Sequence, residues 1–352
     1  MTNKNLQTKP TFSNSLLTIM HLYWGSDEKL FAWTGVATLV ILSLLGVATA
    51  LAINDWYRYF YNAIQNTDIE LFYNLIFIFF GIVSFSVLRS VSISYLVDLL
   101  ALRWRRWLTK HYLAHWTLVP INTIQADHSI DNPDQRIAED INKFTFETID
   151  LGCGLIFTIA SIISFSVVLI EISGEIKLTG ITVPCYMFFS AITYATAGTY
   201  ISQKIGFKLV SLSNHQQRSE ADLRYSLIKL QENDKNFRTP PIQNDRQNTV
   251  KLRLDATQLN MRKIINLKMR LSLFTETYSQ LALVLSSLLA APRLFSGSIT
   301  FGDFMQINSA FGNLSGNLSW FINAYHRLAD WKATTDRLIA FHNTVVTASA
   351  VT

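Results

Sequence analysis

Charge is scarce in this sequence. Only 16% of its 352 residues are Asp, Glu, Lys or Arg, where an ordinary soluble domain carries about 25%. The deficit falls in long uncharged blocks, which points to lipid as the surrounding solvent and argues against two or three soluble domains. Cysteine is nearly absent. Cys153 and Cys185 each sit inside an apolar block, so no disulfide framework or paired metal motif is built from them. The N-terminal stretch has no long apolar core ending in a small-residue cleavage site, and the chain is expected to be unprocessed. No nucleophile–base constellation, zinc motif or haem motif stands out, so neither an enzyme nor a cofactor is expected. The phosphate-cradling pattern GxxxxGK[ST] does not occur either.

What is present in its place is hydrocarbon. Residues 31–53, 151–170, 178–203 and 304–325 hold no charge, residues 71–97 hold only Arg89, and residues 271–292 hold only Glu276. Each block meets the length of about 20 mostly apolar residues that a helix needs to cross a bilayer. Backbone in lipid must satisfy its own hydrogen bonds, and strands of a barrel would be shorter and alternate in polarity. The expected fold is therefore all-α, with six transmembrane helices.

The net charge of +5 is explained by position and not by nucleic acid. The stretches after blocks 1, 3 and 5 contain just Arg58, Lys177 and Arg293, whereas the stretches after blocks 2 and 4 contain 20 of the 30 Lys and Arg. Positive residues are retained in the cytoplasm, so both long loops and both termini are expected on that side. Trp56, Tyr57, Tyr59, Phe60 and Tyr61 suit the opposite interface, where amphipathic rings collect.

The long loops are patterned as helices. DLLALRWRRWLTKHYLAHW continues block 2, a break follows around Pro120 and Asp131-Asn132-Pro133, and PDQRIAEDINKFTFETID leads into block 3. Likewise QQRSEADLRYSLIKLQEN continues block 4, Pro240-Pro241 interrupts, and KLRLDATQLNMRKIINLKMRL runs into block 5. Two such arms, each a pair of long helices below the membrane, are the architecture of ABC-exporter transmembrane domains. Polar arms must pack on each other or on a second subunit, and a homodimer is the natural solution. The expected division is a cytoplasmic segment over 1–30, the membrane domain over 31–341 and a flexible tail over 342–352.

Several separated motifs carry a resemblance. NDWYRYFYNAIQ, WRRWLTKHYLAHW, DNPDQRIAEDI, HQQRSEADLRYSLIKLQEN, APRLFSGSITFGDFMQINSAF and SWFINAYHRLADWKATTDRLIAF occur in order over roughly residues 50–341. The chain thereby resembles the SbmA/BacA-like family of bacterial peptide transporters and its ABC relatives for vitamin B12, bleomycin and fatty-acyl substrates. The resemblance implies an inner-membrane location and proton-driven uptake of peptides or peptide-like molecules. DNPDQRIAEDI and QQRSEADLR look more like the ABC branch, while the Thr-Pro-Pro at 239–241 looks more like SbmA. The alternative is thus the permease half of a split ABC transporter, with a separately encoded ATPase docking on Thr123 to Ser129 and Arg238 to Arg246.

Ionisable residues inside a membrane are costly and are functional candidates by default. Glu147 and Asp150 lie at the inner start of block 3 on one helical face. Two carboxylates so close repel, which disposes one of them to hold a proton near neutral pH; the plainer reading is a solvated pair favoured by a helix N-terminus. Glu276 is a second candidate for proton coupling, or else a salt bridge with Arg270 that reaches the interface. Arg89 requires a partner or water. Glu220 and Glu232 match glutamates of the family motif, so the resemblance implies a glutamate-lined path; a charged helical face is the bland alternative. Asn308, Asn313 and Asn317, with Gln306 and Asn323, make block 6 unusually polar and suit a water-filled cavity. Gly312 and Gly316 are spaced for close helix packing. His111 and His115, at i and i+4, have the spacing of metal ligands, but no third ligand is evident and no metal is expected.

Overall fold

The computed structural model describes residues 12–117, 133–178, 181–231 and 240–349. Among the described residues seven helices are found: α1 (Phe12–Trp24), α2 (Lys29–Gln65), α3 (Ile69–Trp116), α4 (Pro133–Ser173), α5 (Tyr186–Gln231), α6 (Pro240–Phe295) and α7 (Phe301–Ser349). A short antiparallel hairpin, β1 (Glu175–Leu178) with β2 (Ile181–Pro184), lies between α4 and α5. The chain divides into two compact units, residues 1–188 with 290–352 and residues 189–289.

Four helices contain an apolar stretch long enough to cross a membrane: α2, α3, α4 and the Gln247–Phe295 part of α6. The block at 178–203 departs from expectation. Its first seven residues belong mostly to the hairpin, where β-branched Ile181, Thr182 and Val183 favour extended backbone, and the helix starts only at Tyr186. The block at 304–325 is helical but diluted by its own amides. Along the apolar stretches, large side chains point outward: Phe77 is 74% exposed, Leu88 69%, Leu273 69% and Leu288 68%. That inside-out arrangement is what a hydrocarbon solvent permits and water penalises.

The first unit has a conventional core at one end, beyond the apolar stretches. Trp104 and Tyr112 of α3, Ile141 and Phe144 of α4, Leu338 and Phe341 of α7, and Ile19 and Tyr23 of α1 are all buried there. Tyr23 stacks on Trp104 at 5.6 Å, Trp24 and Phe144 meet the same indole edge-on, and Trp107 Nε1 donates to Asp27 Oδ1 at 3.1 Å. The N-terminal segment is thus an amphipathic helix clasped by tryptophans. Helix α7 continues to Ser349 and buries His342 and Val345, because its apolar face continues the stripe set by Leu338 and Phe341.

Helix α3 ends at Trp116, α4 opens on Pro133 and α6 opens on Pro240, the first-turn position in which proline is tolerated. Pro120 and Asp131-Asn132 lie outside the described residues. Gly174, at φ +58°, ends α4, and the Arg293 guanidinium covers that end, donating to the carbonyls of Ile172 at 2.7 Å and Ser173 at 2.5 Å. It supplies both the donors and the positive charge that a helix C-terminus lacks.

In the second unit, α5 and α6 are joined by a tyrosine pair and an amide network. Tyr194 and Tyr278 stack at 4.2 Å and each hydroxyl donates to the other's carbonyl. Asn260 Nδ2 donates to Leu212 O at 3.0 Å and to Gln216 Oε1 at 2.8 Å.

Candidate functional site

The first cluster is a clasp around Asp140. Helix α4 opens with three residues of α-helix and then a π-helical turn, Arg136–Asp140. Such turns are uncommon and concentrate at functional positions. Arg136 and Asp140 pair within this turn, both buried. Arg337 of α7 reaches the same carboxylate with Nη2 on Oδ1 at 2.9 Å and Nε on Oδ2 at 3.0 Å. Burial acts to raise the Asp140 pKa, but the hydrogen bonds and charges of Arg337 and Arg136 outweigh it and hold the carboxyl below its ordinary value. Sequence reasoning missed this clasp; its signal was an Arg and an Asp four apart just after the proline break.

About two to three turns further along α4 lies the second cluster, which contains two of the expected residues. Arg327 of α7 sits between Glu147 and Asp150. Its Nη2 is 2.7 Å from Glu147 Oε2 and 2.5 Å from Asp150 Oδ2, and its Nε is 3.0 Å from Glu147. The expected repulsion of two bare carboxylates is therefore offset by a shared cation. Trp331 Nε1 to Thr148 Oγ1, at 2.8 Å, fastens the same stretch. Glu147 also lines a cavity of about 470 Å³ with Asp98, Leu102, Asn142, Lys143 and Phe146.

The third cluster ties α2 to the start of α7. Asn54 Nδ2 donates to the Gln306 carbonyl at 3.0 Å, Gln306 Nε2 to Asp55 Oδ1 at 2.7 Å, and Arg58 pairs with Asp303 at 2.9 Å. Asn62 Oδ1 and Gln65 Oε1 accept from the backbone of Gly302 and Phe301, capping the helix start. The polar residues of NDWYRYFYNAIQ recur along one face, while Trp56 and Phe60 stack on the other at 4.4 Å. The sequence reading took the aromatics and overlooked the polar stripe beside them.

The remaining candidates divide. Arg89 donates through Nη1 to the Leu42 carbonyl at 3.3 Å and makes no ion pair among the described residues. Its guanidinium fills a notch at Gly46. Asn308 is buried; Asn313 and Asn317 spend their amide nitrogens on the carbonyls four residues back. A Cβ at Gly312 or Gly316 would meet nothing within 4 Å, so among the described residues this pair is not a packing notch. Glu276 is exposed and makes no ion pair among the described residues, including with Arg270. Glu220 accepts from Gln216 Nε2 at 3.0 Å and thereby joins the amide network between α5 and α6. Glu232 lies outside the described residues.

The fold adds a third imidazole to His111 and His115. Tyr112 brings His342 alongside, its hydroxyl 3.2 Å from His342 Nδ1, while His115 Nδ1 hydrogen-bonds the His111 carbonyl. Burial, and then the charges of His111 and His115, push His342 down to about 4. Burial first and His115 second also lower His111. No group of three potential ligands fits a metal among the described residues.

Comparison with known proteins places these clusters in a family. The chain is 32% identical to the Escherichia coli inner membrane ABC transporter ATP-binding protein YddA over 86% of its own length and 56% of that protein. It is 32% identical to the Arabidopsis thaliana ABC transporter D family member 2, chloroplastic, over 91% of its length and 44% of the relative. It is 25% identical to the human lysosomal cobalamin transporter ABCD4 over 82% and 45%, respectively. The chain spans about half the length of the curated relatives it matches. Residues 26–346, which include all three polar clusters, match the model of the SbmA/BacA-like family, and the chain belongs to that family.

Proposed function

We propose that this chain is a transporter of the bacterial inner membrane that imports peptides or peptide-like molecules as a proton-driven homodimer. Six helices span the bilayer, in this reading, with both termini and the helical extensions of α3 to α7 in the cytoplasm, as the distribution of Lys and Arg supports. The observation that carries the mechanism is the Arg327 clamp on Glu147 and Asp150, beside a cavity and at the inner end of an apolar helix.

The clamp suits proton coupling because its charges balance only in part. Two carboxylates share one cation. Protonating either one removes a charge-assisted hydrogen bond and loosens α7 from α4; losing the proton restores the bond. Exchange between the two sides then couples proton movement to helix movement. Glu276, an exposed carboxylate on an apolar helix, and Glu220 and Glu232 are further stations for protons in this scheme. Asn308, Asn313 and Asn317 line the polar path. The exposed apolar residues of the second unit, among them Leu252, Leu259 and Met269, support a second copy as partner.

The test is peptide uptake into proteoliposomes under an imposed pH gradient. Uptake should collapse with a protonophore, and Glu147→Gln, Asp150→Asn and Glu276→Gln should each lower it while the protein still elutes as a single species. Full uptake in all three variants would remove these carboxylates from the mechanism.

A second reading is favoured by one observation: two of the relatives described above are named as ABC transporters, and the chain spans about half of each. Under it the chain is a permease paired with an ATPase that docks on 123–129, which lies outside the described residues, and on 238–246, of which 240–246 belong to the start of α6. ATP-dependent, protonophore-insensitive uptake, with a nucleotide-binding subunit copurifying, would replace the first reading with this one.

A further inference from the structure

We propose that Arg89 is the docking point for the terminal carboxylate of a peptide substrate, held in the middle of the membrane; this rests on the carrier reading above. Arg89 Nη1 has one neutral acceptor, the Leu42 carbonyl at 3.3 Å. Its Nε is buried without a partner, and no carboxylate pairs with it among the described residues. The site is shaped for the guanidinium: a Cβ on Gly46 would lie 2.6 Å from Nη1 and 3.2 Å from the Phe157 ring.

Depth decides which anion can reach it. Helices α2 and α3 run antiparallel, with Gly35 facing Leu100 at one end and Phe60 stacked on Phe72 at the other. At 1.5 Å per residue, Arg89 is about 16 Å from the level of Leu100 and about 25 Å from that of Phe72. Side chains that reach the interface do so from near helix ends. Lipid phosphate is thus out of range, and a cation wedged between three helices without a counter-charge is costly. The compensating anion must arrive with a molecule that enters the protein.

The neighbouring groups narrow its chemistry. The contacts of Glu147 with Arg327 and of Gly154 with Trp320 set the antiparallel register of α4 and α7. Carried forward, that register brings Phe157 level with Asn317 and Ser161 level with Asn313. Each amide nitrogen is fixed by a carbonyl oxygen, Ser309 O at 2.9 Å and Asn313 O at 2.8 Å, which leaves the Oδ1 atoms as acceptors. Ser161 Oγ is buried and unpartnered. This layer offers a planar cationic fork and, at the same depth, acceptors seeking N–H groups. The last residue of a peptide presents both complements, a carboxylate and the amide N–H before it.

The experiment compares a tritiated oligopeptide as free acid and as carboxamide, measuring equilibrium binding to the purified protein in detergent, which needs no energy source. The free acid should bind about tenfold more tightly or better, since a charge-assisted pair contributes at least one such factor. Arg89→Gln keeps a donor for Leu42 and should bring the acid-to-amide ratio to near one, chiefly by weakening binding of the acid. Arg89→Lys should retain part of the preference. Gly46→Ala, which displaces the guanidinium and keeps its charge, should also weaken it. Equal binding of acid and carboxamide by the unaltered protein, or an undiminished ratio in Arg89→Gln, would overturn the assignment and leave the carrier reading standing. Binding of neither peptide would overturn both.

Discussion

Replacing Asp140 by alanine should cost more stability than any other single change in the ion-pair clusters. The carboxylate is 6% exposed at its side chain and Arg136 10%. Removing Asp140 breaks its buried pair with Arg136, and breaking a buried ion pair by removing one partner costs about 3–5 kcal/mol. Arg337 stands differently: its side chain is 42% exposed, so water solvates what the pair loses, and Arg337→Ala should cost only about 1 kcal/mol. The two variants can be compared by thermal unfolding of the detergent-solubilised protein, followed by tryptophan fluorescence. Asp140→Ala should lower the midpoint on the order of 10 °C. Replacing both partners, Arg136→Met with Asp140→Leu, should recover much of the loss, since no charge is left stranded. The pH dependence has a definite sign. The folded carboxyl is held below its ordinary value of 3.8, so its stabilisation is complete above that value and is lost as pH falls through the folded value. An Asp140→Ala midpoint no lower than that of Arg337→Ala would refute the reasoning.

Further outcomes can be checked with the same preparation. His342, lowered to about 4 from 6.5, binds its proton more readily when unfolded, so stability should fall as pH drops from 6.5 toward 4, by at most about 1.4 kcal/mol per pH unit; His342→Gln should flatten that slope. Trp104→Ala removes a fully buried indole that three rings pack against and should cost about 3–5 kcal/mol, with α1 becoming accessible to protease. Gly174→Ala imposes a side chain at φ +58° and drives a Cβ to 2.8 Å from Arg293, and should lower the unfolding midpoint more than Gly81→Ala, where a Cβ meets nothing within 4 Å.

Local signals in the sequence carried far. The uncharged blocks marked the four helices that are long and apolar enough to cross a membrane, because hydrogen bonding in lipid leaves the backbone little choice, and Pro133 and Pro240 open two of the helices. The hairpin at 175–184 was hidden because an apolar run of β-branched residues reads as span when periodicity is the only guide. Glu147 and Asp150 were legible as a pair, but Arg327, 180 residues away from the first of them, could not be matched to them without the fold. The same holds for Arg337 on Asp140 and for the contact of Gln306 with Asn54 and Asp55. Charge partners across helices leave no spacing to read. Arg89 was conspicuous as a lone charge, whereas its seat at Gly46 depends on how two helices cross.

The length of α3 has a mechanical consequence. Its 48 residues make a rod about 72 Å long, more than twice the thickness of the hydrocarbon layer. No proline interrupts it, so it has no built-in joint at which bending could absorb a disturbance. Pivoted near its midpoint, a tilt of about 10° would swing each tip by about 6 Å in opposite directions. The aromatic end and the histidine end are geared to one another: neither can shift sideways without announcing it at the far face of the bilayer.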